Sequence, residues 1–241
     1  MIIRIDLAYD GRNFHGSQRQ KKHRTVQGDI ESALKKLYLE PITLHLSGRT
    51  DAGVHAIRQV GHFKTSQEIP EDKALFALSN LLPSDIKLLA LKWAEDDFHA
   101  RYSAKEKTYR YVISFTDDVF RRPYETFVEP PLDLTAIDQS IKHLIGEHDF
   151  FAFSNRRKGE RTTIRTLHEI SYEEEADKLI FRFRGDGFLY KMVRILMQYL
   201  IEVGRGKIDP EQTKQILLTH SKEFTRRVAP PQGLYLEYIE Y

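Results

Sequence analysis

The chain of 241 residues contains no cysteine, and this absence excludes several kinds of structure and chemistry. Without cysteine there is no disulfide bond, no thiolate nucleophile and no cysteine-ligated zinc. No apolar run approaches the length of about 18 residues that a membrane-spanning helix needs, so we expect no membrane partner. A chain without cysteine also fits a reducing compartment, and we expect a cytoplasmic protein.

Several catalytic motifs are missing as well. The sequence has no G-x-S-x-G, no P-loop and no dinucleotide fingerprint. The ten histidines are scattered, and none shows metal-ligand spacing beside an acid on a helix, so we expect no metal site. An aspartic protease needs two D-[TS]-G turns, whereas Asp51-Ala52-Gly53 occurs once. A typical glycoside hydrolase needs a second carboxylate, which only a distant residue could supply.

The net charge is only +2, but the basic residues are concentrated in two segments. Residues 12–24 carry five Lys/Arg and no acid, and residues 153–168 carry five Lys/Arg against one acid, Glu160. Such segregation suits a polyanion lying across one face, and ordinary solvated loops are the alternative. The candidates for RNA contact in these segments are Arg12, Arg19, Lys21, Lys22, Arg24, Arg156, Arg157 and Lys158.

The spacing of apolar residues predicts an α+β protein. Strands are predicted at 2–9, 42–46, 60–64, 86–93, 108–115, 165–172, 179–184 and 234–241. Helices are predicted after the capping residue Thr25 and at 71–82, 134–145, 188–203 and 210–218. This order of elements predicts two similar halves, 1–100 and 101–241. Each half is expected to have an antiparallel or mixed sheet with helices on one face, and we expect an active-site cleft between the halves.

Residues 47–56, which read SGRTDAGVHA, place a single carboxylate, Asp51, in a tight turn after a predicted strand. Arg49 is two residues away on an extended segment, so it can lie on the same side and favour the charged carboxylate. An ionised carboxylate of this kind can act as a nucleophile or a base. The alternative is that Asp51 only shapes the turn, where aspartate is common.

This stretch is one of several blocks that follow a fixed order along the chain. The blocks are YDGRNFHGSQRQ (9–20) with TVQGDIESAL (25–34), SGRTDAGVHA (47–56), FHARYSAKEKTYRYVI (98–113), HDFFAF (148–153) with GDGFLYKMVR (185–194), and APPQGLYLEYIEY (229–241). Together they resemble the TruA family of tRNA pseudouridine synthases over nearly the full length of the chain. One such block alone is a weak signal, whereas several in register are specific.

The resemblance implies an activity and assigns residues to it. Members of this family isomerise uridine to pseudouridine in RNA, without a cofactor or a metal ion. By resemblance, Asp51 is the catalytic carboxylate, Arg49 orients the flipped nucleotide and Tyr109 stacks on the uracil. Arg194, on the predicted long helix, would pair with Asp51 from the second half. The family also implies a homodimer that binds RNA across both subunits, with uridines 38–40 of the tRNA anticodon stem-loop as the targets.

Two departures from the family pattern leave the RNA substrate open. Ser17 follows Gly16 where the family usually has an aromatic residue, and residues 195–197 read ILM where many members have an asparagine and a small turn. Both segments lie where residues could contact the RNA or form the back wall of the pocket. A relative specialised for ribosomal RNA is therefore one alternative. The alternatives of another class are a non-catalytic RNA-binding or RNA-folding protein and a single-carboxylate hydrolase of a small substrate.

Overall fold

The computed structural model of the protein describes residues 1–155 and 162–241. Within these ranges the chain forms two compact units. The first unit comprises Met1–Lys107 together with Tyr235–Tyr241, and the second comprises Thr108–Leu234. The last strand of the chain therefore packs with the N-terminal part of the sequence.

The helices and strands are numbered in chain order. The strands are β1 (Ile2–Tyr9), β2 (His45–Leu46), β3 (His55–Lys64), β4 (Ile86–Ala94), β5 (Glu106–Ser114), β6 (Thr126–Phe127), β7 (Gly146–Asp149), β8 (Ile164–Glu175), β9 (Lys178–Gly185) and β10 (Leu234–Glu240). The helices are α1 (Val26–Tyr38), α2 (Glu71–Leu81), α3 (Leu134–Leu144), α4 (Met192–Gly204) and α5 (Gln212–Thr219).

The first unit is built on a mixed sheet in the order β4-β1-β3-β10. Strand β1 pairs antiparallel with β4 on one side and with β3 on the other, and the short β2 adds antiparallel to β3. Strand β10 is parallel to β3, with Tyr235 opposite His55. Since β3 begins at the end of the SGRTDAGVH segment, the sheet fixes the exit of that segment.

Helix α1 follows from its local sequence. The side chain of Thr25 accepts a hydrogen bond from the Gly28 N–H at 3.2 Å, which satisfies one of the free donors of the first turn. Ile30 and Leu34, spaced four residues apart, are fully buried on one face. The helix ends where Leu39 adopts a left-handed conformation with φ of 56°.

The second unit has the sheet order β5-β9-β8-β7, with antiparallel pairs at β7–β8 and β8–β9. Strand β6 adds parallel to β5. Helix α4 is almost entirely buried, and its last residue, Gly204, meets Ile137 of α3 so closely that a Cβ there would come within 2.8 Å of the isoleucine side chain. Glycine at this position therefore lets the two helices approach.

The α+β class predicted from the sequence is confirmed. Each unit contains parallel and antiparallel strand pairs, and helices α1 to α5 lie between strands along the chain. In the described ranges no helix is both long enough and apolar enough to cross a membrane.

Several predicted boundaries differ from the structure, and one short strand was not predicted. The helix predicted at 188–203 begins only at Met192, because Lys191 takes a left-handed conformation with φ of 62°. Strand β3 begins at His55, five residues before the predicted Val60. The segment after Gly146, φ 105°, forms the short strand β7, which the sequence pattern did not predict.

Three histidines of the first unit cluster on the sheet. The ring centroids of His62 and His99 are 4.5 Å apart, and His45 stacks on His62 at 5.0 Å. The Nδ1 atom of His62 accepts the Ala100 N–H at 3.1 Å, and that of His99 accepts the Arg101 N–H at 3.1 Å. Among the described residues, no group of three or more His, Asp or Glu side chains is arranged to hold a metal ion. The three rings pack against one another.

We expect acid to weaken the fold through His62. Burial, with positive charge at His99, His45 and Lys64, lowers the pKa of His62 from 6.5 to about 4. The unfolded chain takes up this proton near pH 6.5 and the folded protein only near pH 4. The free energy of unfolding is therefore unaffected above this window and falls as the pH drops through it, by up to about 3 kcal/mol.

Urea unfolding between about pH 7 and pH 4 measures this effect. The decrease in unfolding free energy should be smaller in His62→Asn than in the wild type. His23→Asn, which removes an exposed histidine, is the control. An equal decrease in His62→Asn and the wild type would contradict the prediction.

Candidate active site

The signature loop, which we define as residues 47–55, carries Asp51 at its centre. Its turn is closed by a hydrogen bond from the Val54 N–H to the Asp51 carbonyl at 3.2 Å, and Gly53 takes a φ of 79° that favours glycine. The side chain of Asp51 is partly exposed, whereas Ser47, Gly48 and Thr50 before it are buried. The loop thus presents one carboxylate from a buried backbone.

The side chain of Gln59 holds the start of the loop. It is fully buried on β3, its Nε2 donates to the Gly48 carbonyl at 2.8 Å, and its Oε1 accepts the Gly48 N–H at 3.2 Å. One amide therefore satisfies both backbone groups of a buried residue. The Ser47 N–H next to it donates to the Val60 carbonyl at 2.8 Å, which continues the connection to the same strand.

Thr50, directly before Asp51, is fixed by a second set of buried contacts. Its N–H donates to the Ser17 hydroxyl at 2.9 Å, and its carbonyl accepts the Ser17 N–H at 3.0 Å. Its hydroxyl lies 2.8 Å from the Tyr9 hydroxyl. Burial raises the pKa of Tyr9 to about 12, so this phenol stays neutral and can donate a hydrogen bond. Three hydrogen bonds, two with Ser17 and one with Tyr9, therefore hold the residue that precedes Asp51.

The residues after Asp51 are fixed against the segment that follows β1. The Gly53 N–H donates to the Phe14 carbonyl at 3.3 Å. The Gly11 N–H donates to Nδ1 of His55 at 3.1 Å, so this nitrogen is an acceptor, and the His55 ring stacks on Tyr235 at 4.7 Å. With both flanks fixed, the position of the Asp51 carboxylate depends little on loop motion.

Arg49 differs from its neighbours because its side chain is exposed. In the described part of the chain its guanidinium forms no hydrogen bond or ion pair, and its effect on Asp51 stays a prediction. An exposed guanidinium without an internal partner can bind a carboxylate or phosphate of another molecule.

A family model described as "tRNA pseudouridine synthase" matches residues 7–103 and 140–241. The chain belongs to the tRNA pseudouridine synthase family. It is 44% identical to tRNA pseudouridine synthase A 1 of Bacillus cereus, over 99% of this chain and 98% of the relative. It is also 44% identical to tRNA pseudouridine synthase A of an Exiguobacterium species, over 99% of this chain and 97% of the relative. The Halalkalibacterium halodurans synthase A is 44% identical as well, over 96% of this chain and 89% of the relative.

Two further residues that the sequence assigned to the synthase reaction, Tyr109 and Arg194, lie in the second unit. Tyr109 is buried on β5, where its ring meets Phe188 edge-on with centroids 5.0 Å apart. Arg194 lies in the first turn of α4, and its Nε donates to the Ala229 carbonyl at 2.8 Å, while the Ala229 N–H donates to the Arg194 carbonyl at 3.1 Å. The roles that the resemblance gives them stay predictions.

In the first basic segment of the synthase, residues 12–24, the three arginines are bound to carboxylates of the protein itself. Arg24 bonds both oxygens of Asp85 at 2.7 and 2.8 Å and one oxygen of Asp29 at 2.9 Å, and these contacts raise its pKa. Carboxylates also bind the other two arginines, with Asp10 on Arg12 at 2.6 Å and Glu31 on Arg19 at 2.7 Å. Lys21 and Lys22 are exposed. The predicted RNA contacts at Arg156, Arg157 and Lys158 lie outside the described residues.

The two departures from the family pattern lie in the interior of the synthase. Ser17 is fully buried, and its hydroxyl accepts a hydrogen bond from the Thr50 N–H. It therefore supports the signature loop from the interior of the protein. Ile195 and Met197 are buried in α4. Sequence reasoning missed the roles of Ser17 and Gln59 in the site. For Gln59 the available signal was an amide side chain next to apolar residues of β3, because a buried amide must find partners.

We expect Gln59→Ala to lower the free energy of unfolding by about 1–3 kcal/mol, because it leaves the buried N–H and carbonyl of Gly48 without partners. The single-turnover rate should fall as well, because even a small displacement of the catalytic carboxylate slows the reaction. Urea unfolding and single-turnover kinetics measure the two effects. Gln67→Ala, at an exposed position, is the matched control. Wild-type stability in Gln59→Ala would show that the amide does not hold the loop.

Proposed function

We propose that this protein isomerises uridine to pseudouridine in tRNA, with uridines 38–40 of the anticodon stem-loop as its targets. The observation that carries the proposal is Asp51, a partly exposed carboxylate held in a turn whose backbone is fixed on both sides by buried hydrogen bonds. The full-length relatives at 44% identity, which are named tRNA pseudouridine synthases, support the same activity and favour tRNA over ribosomal RNA.

The reaction needs one well-placed carboxylate and no external reactant. The bond between N1 of uracil and C1′ of the ribose breaks, the detached base rotates, and a bond forms between C5 and C1′. The proton leaves C5 and N1 gains one, so atoms and electrons balance without an oxidant or reductant. The carboxylate of Asp51 assists by attacking either the ribose C1′ or the uracil ring.

The substrate has to be presented to Asp51 outside its helical stack. Extruding a nucleotide costs a few kcal/mol, which stacking on an aromatic ring and contacts to the phosphates offset. We propose that Tyr109 supplies the ring, that Arg49 contacts the flipped nucleotide and that Arg194 pairs with Asp51. The exposed Lys21 and Lys22, and the segment with Arg156, Arg157 and Lys158, are the proposed contacts to the RNA backbone.

The family resemblance also supports a homodimer in which both subunits bind the RNA, and a cytoplasmic location together with the tRNA pool. Light scattering of the purified protein tests the first point: a mass near 57 kDa, about twice the 28.3 kDa of the chain, is expected. A mass equal to that of one chain at micromolar concentration would contradict the dimer.

The activity is tested with tRNA transcripts that carry tritium at C5 of uridine. Because C5 loses its hydrogen when it bonds to C1′, each isomerisation releases tritium to water. We expect release from a tRNA with uridines at 38–40 and none from the same tRNA with cytidines there. Release from ribosomal RNA fragments alone would move the substrate to the ribosome. If the protein binds RNA but releases tritium from none, it is a non-catalytic RNA-binding protein. If its RNA binding does not weaken as salt rises, a hydrolase of a small substrate is favoured instead.

A further inference from the structure

Lys107 contacts the signature loop through its side chain. It is the second residue of β5 and belongs to the first unit, like the loop itself. Its ammonium donates a hydrogen bond of 2.7 Å to the carbonyl of Ser47, four residues before Asp51. A lysine ammonium has three donors, and this contact uses one of them.

The charge of Lys107 is not balanced within the described part of the chain. No carboxylate there lies within ion-pair distance of its ammonium, which is held by a neutral carbonyl instead. Burial, and then the positive charge of Arg101, lower the pKa of Lys107 to about 8. Arg24 shows the opposite case, because its guanidinium is bonded to two carboxylates of the protein. A desolvated cation without an internal anion is typical of a binding site.

A second cation adds to this positive region. Arg101 is exposed, its guanidinium lies 5.8 Å from the ring centroid of Tyr102, and no ion pair of Arg101 occurs among the described residues. The Tyr102 ring is 77% exposed and lies 4.3 Å from the ring of His99. Arg101, which lies beside an exposed aromatic ring, is close enough to Lys107 to lower its pKa, and Lys107 itself contacts the signature loop. Cations together with an exposed ring suit a nucleotide with its phosphate.

We propose that Lys107 binds a backbone phosphate of the RNA at the nucleotide presented to Asp51. The proposal rests on the proposed function for the identity of the ligand. The ammonium keeps its bond to the Ser47 carbonyl and gives its remaining donors to the phosphate oxygens. One side chain thereby links the position of the RNA backbone to the backbone of the loop that carries Asp51.

The salt dependence of RNA binding separates this role from simple support of the loop. Each phosphate contact that is lost lowers the slope of log K against log salt by about 0.7–0.9, whereas a structural defect does not change the number of contacts. We expect Lys107→Gln to bind an anticodon stem-loop RNA about tenfold more weakly at 0.1 M salt, with the slope reduced by this amount, about 0.7–0.9. Lys107→Arg keeps a cation and should keep the wild-type slope.

The control is Lys92→Gln, which removes an exposed lysine from β4 of the same unit and should leave affinity and slope unchanged. An unchanged slope in Lys107→Gln would overturn the proposal, even if its affinity or activity fell. If that variant does not fold, the Lys107 pKa of the wild type decides, measured by NMR of the lysine side chain with and without the RNA. The pKa should rise on binding, and an unchanged pKa would overturn the proposal. Absence of tritium release by the wild type would instead contradict the proposed function.

Discussion

Asp51→Asn is expected to reduce the rate of pseudouridine formation by about 10³-fold or more, because asparagine keeps the shape of the side chain but cannot act as a nucleophile or base. The fold should be retained. The hydrogen bonds that fix the loop are made by the backbone of residues 48, 50 and 53, with Gln59 and Ser17 as the main side-chain partners.

Tritium release under single-turnover conditions measures this rate, and thermal unfolding checks the fold. RNA affinity should stay close to that of the wild type, so the defect should appear in the chemical step and not in binding. Asp96→Asn, at an exposed position that precedes β5, is the matched loss of one carboxylate and should be fully active. An Asp51→Asn variant that retains more than about a tenth of the wild-type rate would contradict a role for this carboxylate in the chemistry.

Gly11→Ala is expected to destabilise the protein strongly, because there is no space for a side chain at this position. A Cβ at this position would lie 2.0 Å from the Val54 carbonyl oxygen and 2.4 Å from its carbon, both backbone atoms of the signature loop. Side chains cannot rotate to relieve such an overlap, so the loop or the turn after β1 has to move. We expect the free energy of unfolding to fall by about 3 kcal/mol or more, with a loss on the order of 10 °C in Tm.

The same displacement should disturb catalysis, since it breaks the hydrogen bond from the Gly11 N–H to His55 at the end of the loop. Calorimetry and tritium release are the measurements. Gly187→Ala is the control, because a Cβ there meets only the Arg165 side chain at an ordinary contact distance of 3.6 Å. Equal stability of the two variants would show that the close approach of Gly11 to Val54 is not a constraint on the fold.

The predictable parts of the fold are those that depend on local sequence patterns, such as capping residues and the spacing of apolar residues. The sequence predicts helix α1 from the capping residue Thr25 and from the apolar residues Ile30 and Leu34, which lie one turn apart. The structure shows both the cap and the burial of these residues. The start of α4 was not predictable, because nothing in the residue type of Lys191 indicates a left-handed backbone.

For the site, sequence reasoning found the loop and could not find what holds it. Gln59 and Ser17 reach partners 11 and 33 residues away, and Lys107 reaches 60 residues back to Ser47. The spacing of residues along the sequence does not indicate which distant residues will form such hydrogen bonds. The same limit explains the first basic segment: counting charges gave five cations, but Arg24 is already bonded to Asp85, 61 residues away.

The central claim, that the protein is a tRNA pseudouridine synthase acting through Asp51, is tested most directly in cells that lack the gene. Pseudouridine is mapped in total RNA from these cells, and again after rescue with the wild type or with Asp51→Asn. We expect pseudouridine to disappear from the anticodon arm of tRNAs and to return only with the wild type. A complete modification pattern without the gene, or full rescue by Asp51→Asn, would contradict the account.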